Sequence, residues 1–444
     1  MLDITFIREN PDIVRAAITN KNREGIDLDR VLVLADERKK LAGEISDLNQ
    51  KKNENAKKFG GGLDDATKAE VLAEGTRIKE ATALLEETYQ TLEKELVSIL
   101  VKIPNIPSAD TPVGPDESSN QILRTWGEKP QFSFEPKAHW DIGKNLEIID
   151  SEKAADVSGA RFTYLKGDLA LMQYALADFT IKTLTSRETL SQIAKEANLQ
   201  IDVQPFVPII PPLMMRSSVM NRMARLDPID ERYYFEKDDL VFIGSAEHTL
   251  GPIHMDEVIP EAQLPLRYFA YTAAFRREAG AAGKDTRGIL RQHQFDKVEM
   301  ETFCLPEHSY AEQDFLVAIQ EYLIRQLKIP YQVIICSTGD QGDADHRHID
   351  LECYMPGQGT YRETHSSDLM QGYQSRRLNT RVKRADGTVE TVHMNDATAF
   401  AMGRTLIAIL ENYQNEDGSV TIPEVLRSYM GKDKIDLPTG RQGR

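Results

Sequence analysis

Between Phe275 and Glu301 the chain reads FRREAGAAGKDTRGILRQHQFDKVEME, which gathers Arg276, Arg277, Lys284, Arg287, Arg291, His293 and Lys297 around a Gly/Ala-rich turn. The whole chain has a net charge of −16, so these cations stand out against an acidic background. An arginine in a cleft grips phosphate oxygens with a rigid fork that lysine cannot copy. A carboxylate two residues on, Glu278, cannot serve the same phosphate, but it can accept a hydrogen bond from an amine. Both flanks alternate as neighbouring strands do. Arg276 and Glu278 are therefore expected on one face, and Phe295 with Lys297, and Glu299 with Glu301, on single faces of the return strand. Any one Arg/Glu pair of this kind also suits plain cross-strand ion pairing on a solvated sheet. As a set, they suggest that something anionic is held beside something that carries an amine.

Composition narrows the setting. At 444 residues the chain has room for two or three domains. Its 41% hydrophobic and 28% charged residues are those of a globular protein. No stretch approaches the roughly 18–20 apolar residues that span a bilayer, and the N-terminus lacks the basic and apolar regions of a signal peptide. Cys304, Cys336 and Cys353 are odd in number, scattered and without metal-ligand spacing, which fits reduced thiols in cytoplasm and argues against a structural zinc site. An acidic chain repels nucleic acid on average, so any such contact needs a local basic patch.

Two kinds of sequence frame the charged stretch. Residues 28–103 are nearly free of proline and break only at FGGGLDD, residues 59–65. Val31, Leu34, Arg38, Leu41, Ile45, Leu48, Lys52, Asn55 and Phe59 step by three or four on the first side. Val71, Gly75, Ile78, Thr82, Leu85, Tyr89, Leu92, Leu96, Ile99 and Ile103 do so on the second. This predicts an antiparallel coiled-coil hairpin with arms of roughly 45–55 Å. Its role stays open between a spacer or dimerisation element and a phosphate-backbone reader using Lys39, Lys40, Lys51, Lys52, Lys57 and Lys58.

Residues 101–120 are rich in Pro, Ser and Asp and read as a linker. Beyond them, helical patterns at 168–198, 307–328, 396–414 and 423–430 alternate with runs of short strands lacking crossover helices. That predicts an α+β domain with a largely antiparallel sheet. No Walker or dinucleotide glycine pattern lies between a strand and a helix.

The charged stretch resembles the second signature motif of class II aminoacyl-tRNA synthetases, with Phe275-Arg276-Arg277-Glu278, a loop, then Arg291 through Phe295. Its EAGxxGxDTxGxxRxHQFxKVE pattern is similar to that of the seryl-tRNA synthetase family in particular. AMGRTLIAILENYQ (401–414) resembles the third motif, and PIIPPLMMRSSVM (208–220), more weakly, the first, dimer-interface motif. The resemblance covers roughly residues 1–430. It implies an N-terminal tRNA-binding domain (1–105) whose coiled-coil arm spans 28–103, a linker (106–134), a class II catalytic domain (135–430) with its antiparallel sheet flanked by helices, and a frayed tail (431–444).

The resemblance also implies roles. ATP would be held by Arg276, Arg277, Glu278, Phe295, Glu363, Thr364, His365, Ser366 and Arg404, with Arg276 on the α-phosphate, Glu278 on the adenine amine, Phe295 under the ring and Arg404 on the terminal phosphates. Glu363 and Ser366 would bind Mg²⁺. His365 stands where the family has serine and is expected to turn away from the ion, which prefers oxygen ligands. Serine would meet Ser245, Ala246, Glu247, Arg276, Glu299 and Thr398. Asp396 replaces the family's Asn in Asp396-Ala397-Thr398, the corner where a change of amino-acid preference would show.

The implied partners are L-serine, ATP, tRNA(Ser) and a second copy of the chain, with tRNA(Sec) left open. The other reading is a paralogue that kept the fold for binding or regulation; a carrier-protein ligase would lack the arm. His346 and His348 are expected in a structural surface loop rather than at a metal, and TGDQGDAD (338–345) reads as a turn. Arg376, Arg377, Arg381, Lys383 and Arg384 are open between acceptor-stem contacts and solvated charge.

Overall fold

A computed structural model describes residues 1–58, 64–279 and 287–438. Most of the glycine turn of the hairpin with Phe59, the loop residues 280–286 and the last six residues of the tail lie outside the described residues. The chain divides into two compact units, Met1–Ile106 and Pro107–Arg444.

The first unit is helical. Helices α1 (Ile4–Glu9) and α2 (Pro11–Asn20) lead into α3 (Leu28–Lys58) and α4 (Asp65–Leu100). Asp64 caps α4 by accepting from the Thr67 amide, as an N-cap carboxylate should. The long pair runs antiparallel, since Arg30 forks onto Glu95 at 2.7 and 3.0 Å while Asn55 donates to the Val71 carbonyl at 2.8 Å. Val31, Leu34, Ile78, Leu92 and Leu96 are buried along the expected seam. Two seam positions are polar for a visible reason. Arg38 reaches Tyr89 and Glu93 across the seam, and Asn55 fits because Gly75 offers no side chain there. Lys52 departs from the expectation and is exposed, as are the other five lysines named above.

The second unit is built on an eight-stranded sheet: β1 (Gln121–Trp126), β2 (Val207–Pro208), β3 (Leu266–Phe275), β4 (Gln294–Cys304), β5 (Tyr331–Ile335), β6 (Arg347–Met355), β7 (Thr360–Gln371) and β8 (His393–Ala401). The spatial order is β1-β5-β6-β7-β8-β4-β3-β2, antiparallel throughout except for the short β2–β3 pairing. Helices Ser309–Gln326 and Met402–Asn412 pack on one face, where Val298, Met300, Ala397 and Ala399 join the core. The side chains between them in sequence, Lys297, Glu299, Glu301, Asp396 and Thr398, belong to the opposite face.

Three expectations change. The stretch expected as a linker is structured from Pro107 on. Pro112 and Gly114 accept backbone bonds from Thr338 and Gly339, and β1 pairs along β5 at the edge of the sheet. Residues 396–401 are strand rather than helix, because they pair with β4 and β7 on either side; the helix starts at Met402. The strand carrying the charged stretch ends at Phe275, and Glu278 takes a left-handed conformation with φ of 52°.

Candidate active site

The face of β4, β7 and β8 opposite the helices floors a cleft of about 740 Å³. Side chains from the second and third signature stretches meet there. β4 supplies Phe295 and Lys297, β7 supplies Glu363, Ser366 and Asp368, and β8 supplies Asp396 and Thr398. Arg276 and Glu278 enter from the end of β3, and Arg404 from the first turn of the helix after β8.

A β-bulge is what makes β7 useful. Residues 363 and 366 are three apart, so in a regular strand they would face opposite ways. The β6–β7 register shifts between Leu351 and Glu352, absorbing one residue around Thr364. Glu363 and Ser366 consequently both line the cleft, and Gln320 from the underlying helix donates to the Ser366 and Thr398 carbonyls at 2.7 and 2.8 Å. The shift also decides the fate of His365. Its ring is buried against Phe400 and takes a hydrogen bond from or gives one to Thr364, and burial lowers its pKa to about 3. His365 does not line the cleft and is not proposed as an ATP contact. Arg277 is withdrawn for a similar reason, since it is exposed and lies against Tyr233 with 5.9 Å from guanidinium carbon to ring centroid.

The remaining cations are aimed. Arg276 donates to the Gly244 carbonyl at 3.1 Å and covers the Phe295 ring at 5.3 Å. Arg291 donates to Glu278 at 3.2 Å. Arg404 meets the Glu363 carboxylate at 2.9 Å and its carbonyl at 3.0 Å. Arg404 and then His348 hold the Glu363 carboxyl, which is half exposed on the cleft, below its ordinary value. Glu363 and Ser366 offer hard oxygens to the same cleft that Arg276 and Arg404 line, and oxygens of that kind suit a magnesium ion.

Further along β4 is a compact polar cluster. Lys297 Nζ lies 2.5 Å from Glu299 and donates to Ser245 at 2.8 Å, while Ser245 donates to Glu299 at 3.3 Å. Ser245, Ala246 and Glu299 are buried behind the lysine, and Lys297, Glu247 and Thr398 present the surface itself. Burial raises Glu299 to about 7 against the pull of Lys297, whereas Glu247 is brought down to about 2, with Lys297, His248 and Arg225 overcoming its burial. One carboxyl is thus held ionised and the other poised near neutrality.

Sequence reasoning passed over several lining residues. Lys297 carried no assigned role, although it shares a strand face with Phe295. Asp368 could have been placed from Ser366 by alternation once the bulge was known. Arg225 lies in an irregular stretch that carries no pattern. His348 was read as part of a surface loop, yet it sits on β6 and lines the cleft, 2.8 Å from Asp350 and bonded to Asp368 on its other nitrogen. Those two carboxylates overcome its burial and raise its pKa well above the ordinary range. Cys336, His348 and Asp350 come together, as do Asp345, His348 and Asp368, a proximity that spacing in the sequence concealed. His346 is buried too, bonded to Tyr310 at 2.7 Å. Of the basic cluster, Arg384 is engaged by Glu261, Glu307 and Glu390, and Arg377 by the carbonyls of Asn221 and Arg222. Arg381 and Lys383 are exposed.

The chain also resembles known proteins over both units. Residues 1–107 match the seryl-tRNA synthetase N-terminal domain, and residues 233–413 the tRNA synthetase class II core domain (G, H, P, S and T). The chain is 40% identical to a serine–tRNA ligase of Symbiobacterium thermophilum over 98% of this chain and 100% of that one. It is 38% identical to the Bacillus subtilis serine–tRNA ligase over 99% of this chain and 100% of that one. Among solved structures it resembles seryl-tRNA synthetase from Pyrococcus horikoshii complexed with ATP, with a TM-score of 0.86 and 34% identity over 98% of this chain and 100% of that one.

Proposed function

The chain belongs to the seryl-tRNA synthetase family, and on that premise we propose that its cleft activates L-serine with ATP, forming seryl-adenylate and pyrophosphate, and then transfers serine to the 3′ end of tRNA(Ser). The observation that carries this reading is the set of groups gathered in one cleft. Glu278, Phe295, Arg276 and Arg404 line it together with Lys297, Glu247 and Thr398.

Adenine stacks on Phe295, with Arg276 placed over the same ring so that its guanidinium reaches the α-phosphate. Glu278 takes the adenine amine and exchanges part of its bond to Arg291 to do so. The serine carboxylate attacks the α-phosphorus and the bond to the β-phosphate breaks. Arg276 and Arg404 stabilise the charge that develops and hold the groups in line, and the protein itself contributes little covalent chemistry. Glu363 and Ser366 would hold Mg²⁺, which supplies charge neutralisation of the phosphates. Ionised Glu247 receives the serine ammonium. Thr398, 3.2 Å from Ser366 and opposite Glu299 in register, faces the side chain. A site built to hydrogen-bond a hydroxyl rejects an analogue lacking it by about 10⁴-fold in favourable cases. In ATP–pyrophosphate exchange without tRNA, serine is therefore expected to support exchange and alanine to be nearly silent. Exchange with no standard amino acid would favour the non-catalytic paralogue.

The α3–α4 hairpin is the tRNA-binding element, its exposed lysines lying along the phosphate backbone. The enzyme acts as a homodimer. In support, the proline-rich stretch around β2 exposes Val207 at 50%, Ile210 at 100% and Leu213 at 37%, an apolar strip beside a sheet edge. Sedimentation is expected to give twice the chain mass of 50.1 kDa, and Ile210→Asp to shift the protein toward 50.1 kDa. A monomeric parent protein would remove this assignment. Three buried, unbridged cysteines fit a cytoplasmic location, and among the described residues no helix is long and apolar enough to cross a membrane.

A further inference from the structure

The amino-acid end of the cleft holds more carboxyls than a neutral side chain requires. β4, β7 and β8 each place one at the same depth, Glu301, Asp368 and Asp396, with Asp396 the register partner of the other two. Asp345 and Glu247 add two more. Arg225 faces this group, 3.9 Å from Asp345, 3.4 Å from Asp368 and 3.7 Å from Asp396. One guanidinium carries one charge. Lys297 is already shared by Glu299 and Ser245, and His348 by Asp350 and Asp368.

Asp396 and Glu301 are among the carboxyls here that carry an oxygen with no hydrogen-bond partner. Asp396 lines the cleft at 4% exposure, and its Oδ2 has no hydrogen-bond partner, Arg225 being too far to donate to it. Glu301, at 0% exposure, has no hydrogen-bond partner on either oxygen. Burial, with Asp368 and Glu247 nearby, raises Asp396 well above the ordinary carboxyl range. A buried acceptor left open on the wall of the cleft is a place where a cation can enter. An ammonium–carboxylate pair with hydrogen bonds then forms there, any proton on the carboxyl leaving to solvent.

We propose that the deep end of the cleft also admits α,β-diamino acids, the simplest being L-2,3-diaminopropionate, with the side-chain ammonium held by Asp396. This compound has the shape of serine with an ammonium in place of the hydroxyl, so it demands no added depth. The inference rests on the adenylate-forming reading and uses the same step. The α-carboxylate oxygen bonds to the α-phosphorus, the α–β phosphoanhydride bond breaks and pyrophosphate leaves, with no further reagent.

The test is ATP–pyrophosphate exchange by the full chain with L-serine, L-2,3-diaminopropionate and L-alanine in parallel. The diamine is expected to be used within about tenfold of serine in kcat/KM and far better than alanine. In Asp396→Asn, which keeps shape and removes the ionisable oxygen, the diamine-to-serine ratio is expected to fall by about tenfold or more. Exchange with serine but not with the diamine overturns the proposal and leaves the parent reading standing. Exchange with neither overturns the parent reading. Diamine use by the unaltered chain with a ratio unchanged in Asp396→Asn removes Asp396 as the recognising group.

Discussion

Arg404→Ala is expected to lower ATP–pyrophosphate exchange by about 10³-fold, the largest effect of any single change in the cleft. Arg404 stands in the first turn of a helix whose N-terminus opens onto the cleft, so backbone dipoles and guanidinium act in the same direction on an incoming phosphate. Its resting partner is Glu363 at 2.9 Å, a contact that keeps the side chain extended over the floor before ATP arrives. Gly403 beside it is also constrained, because a Cβ there would press to 3.2 Å on the Ile289 carbonyl. The arginine is thus presented by a close-packed turn rather than by a loose side chain. Removing it leaves charge uncompensated where pyrophosphate departs, and leaves Glu363 facing the same phosphates without its cation. The loss should fall on kcat as well as on KM for ATP, since the charge grows during the reaction. Arg404→Lys should recover only part of the rate, lysine having charge but no fork. A loss below about tenfold for the alanine variant would refute the phosphate role.

The split between what the sequence disclosed and what it hid follows from where each signal lives. The hairpin seam and the β3–loop–β4 alternation are periodic, and periodicity is readable one residue at a time. Asn55 opposite Gly75 is even explicable from the pairing of a polar side chain with a missing one. β-Bulges are not periodic. Only a shift between Leu351 and Glu352 lets Glu363 and Ser366 share a face, and only the resemblance to a family suggested that they do. The acidic depth of the cleft was harder still. Glu301, Asp368 and Asp396 lie on three strands that are distant in sequence, and Arg225 comes from a segment with no regular structure, so their convergence exists only after the sheet is assembled. Proline-rich composition misled in the other direction. Residues 107–120 have no repeat because they are tied to the 337–339 turn by individual hydrogen bonds rather than by a ladder.

Deleting residues 36–98 is expected to leave serine-dependent exchange within about threefold of the parent and to reduce charging of tRNA(Ser) by about 10³-fold or more. The segment forms most of the long hairpin of the first unit, whereas each residue assigned to ATP or serine lies in the second. Within the hairpin the stabilising groups and the exposed cations are different residues. Arg30 and Arg38 are spent on Glu95 and on Tyr89 and Glu93, while Lys39, Lys40, Lys51, Lys52, Lys57 and Lys58 are exposed. A milder variant separates phosphate binding from scaffolding. Changing those six lysines to glutamine should preserve the helical content of the protein and raise KM for tRNA. The dependence of log kcat/KM on log salt should flatten by up to about 0.9 for each phosphate that the variant no longer neutralises. Loss of exchange together with charging in the deletion would make the hairpin a folding element. An unchanged salt slope in the lysine variant would place the tRNA-binding cations on another surface.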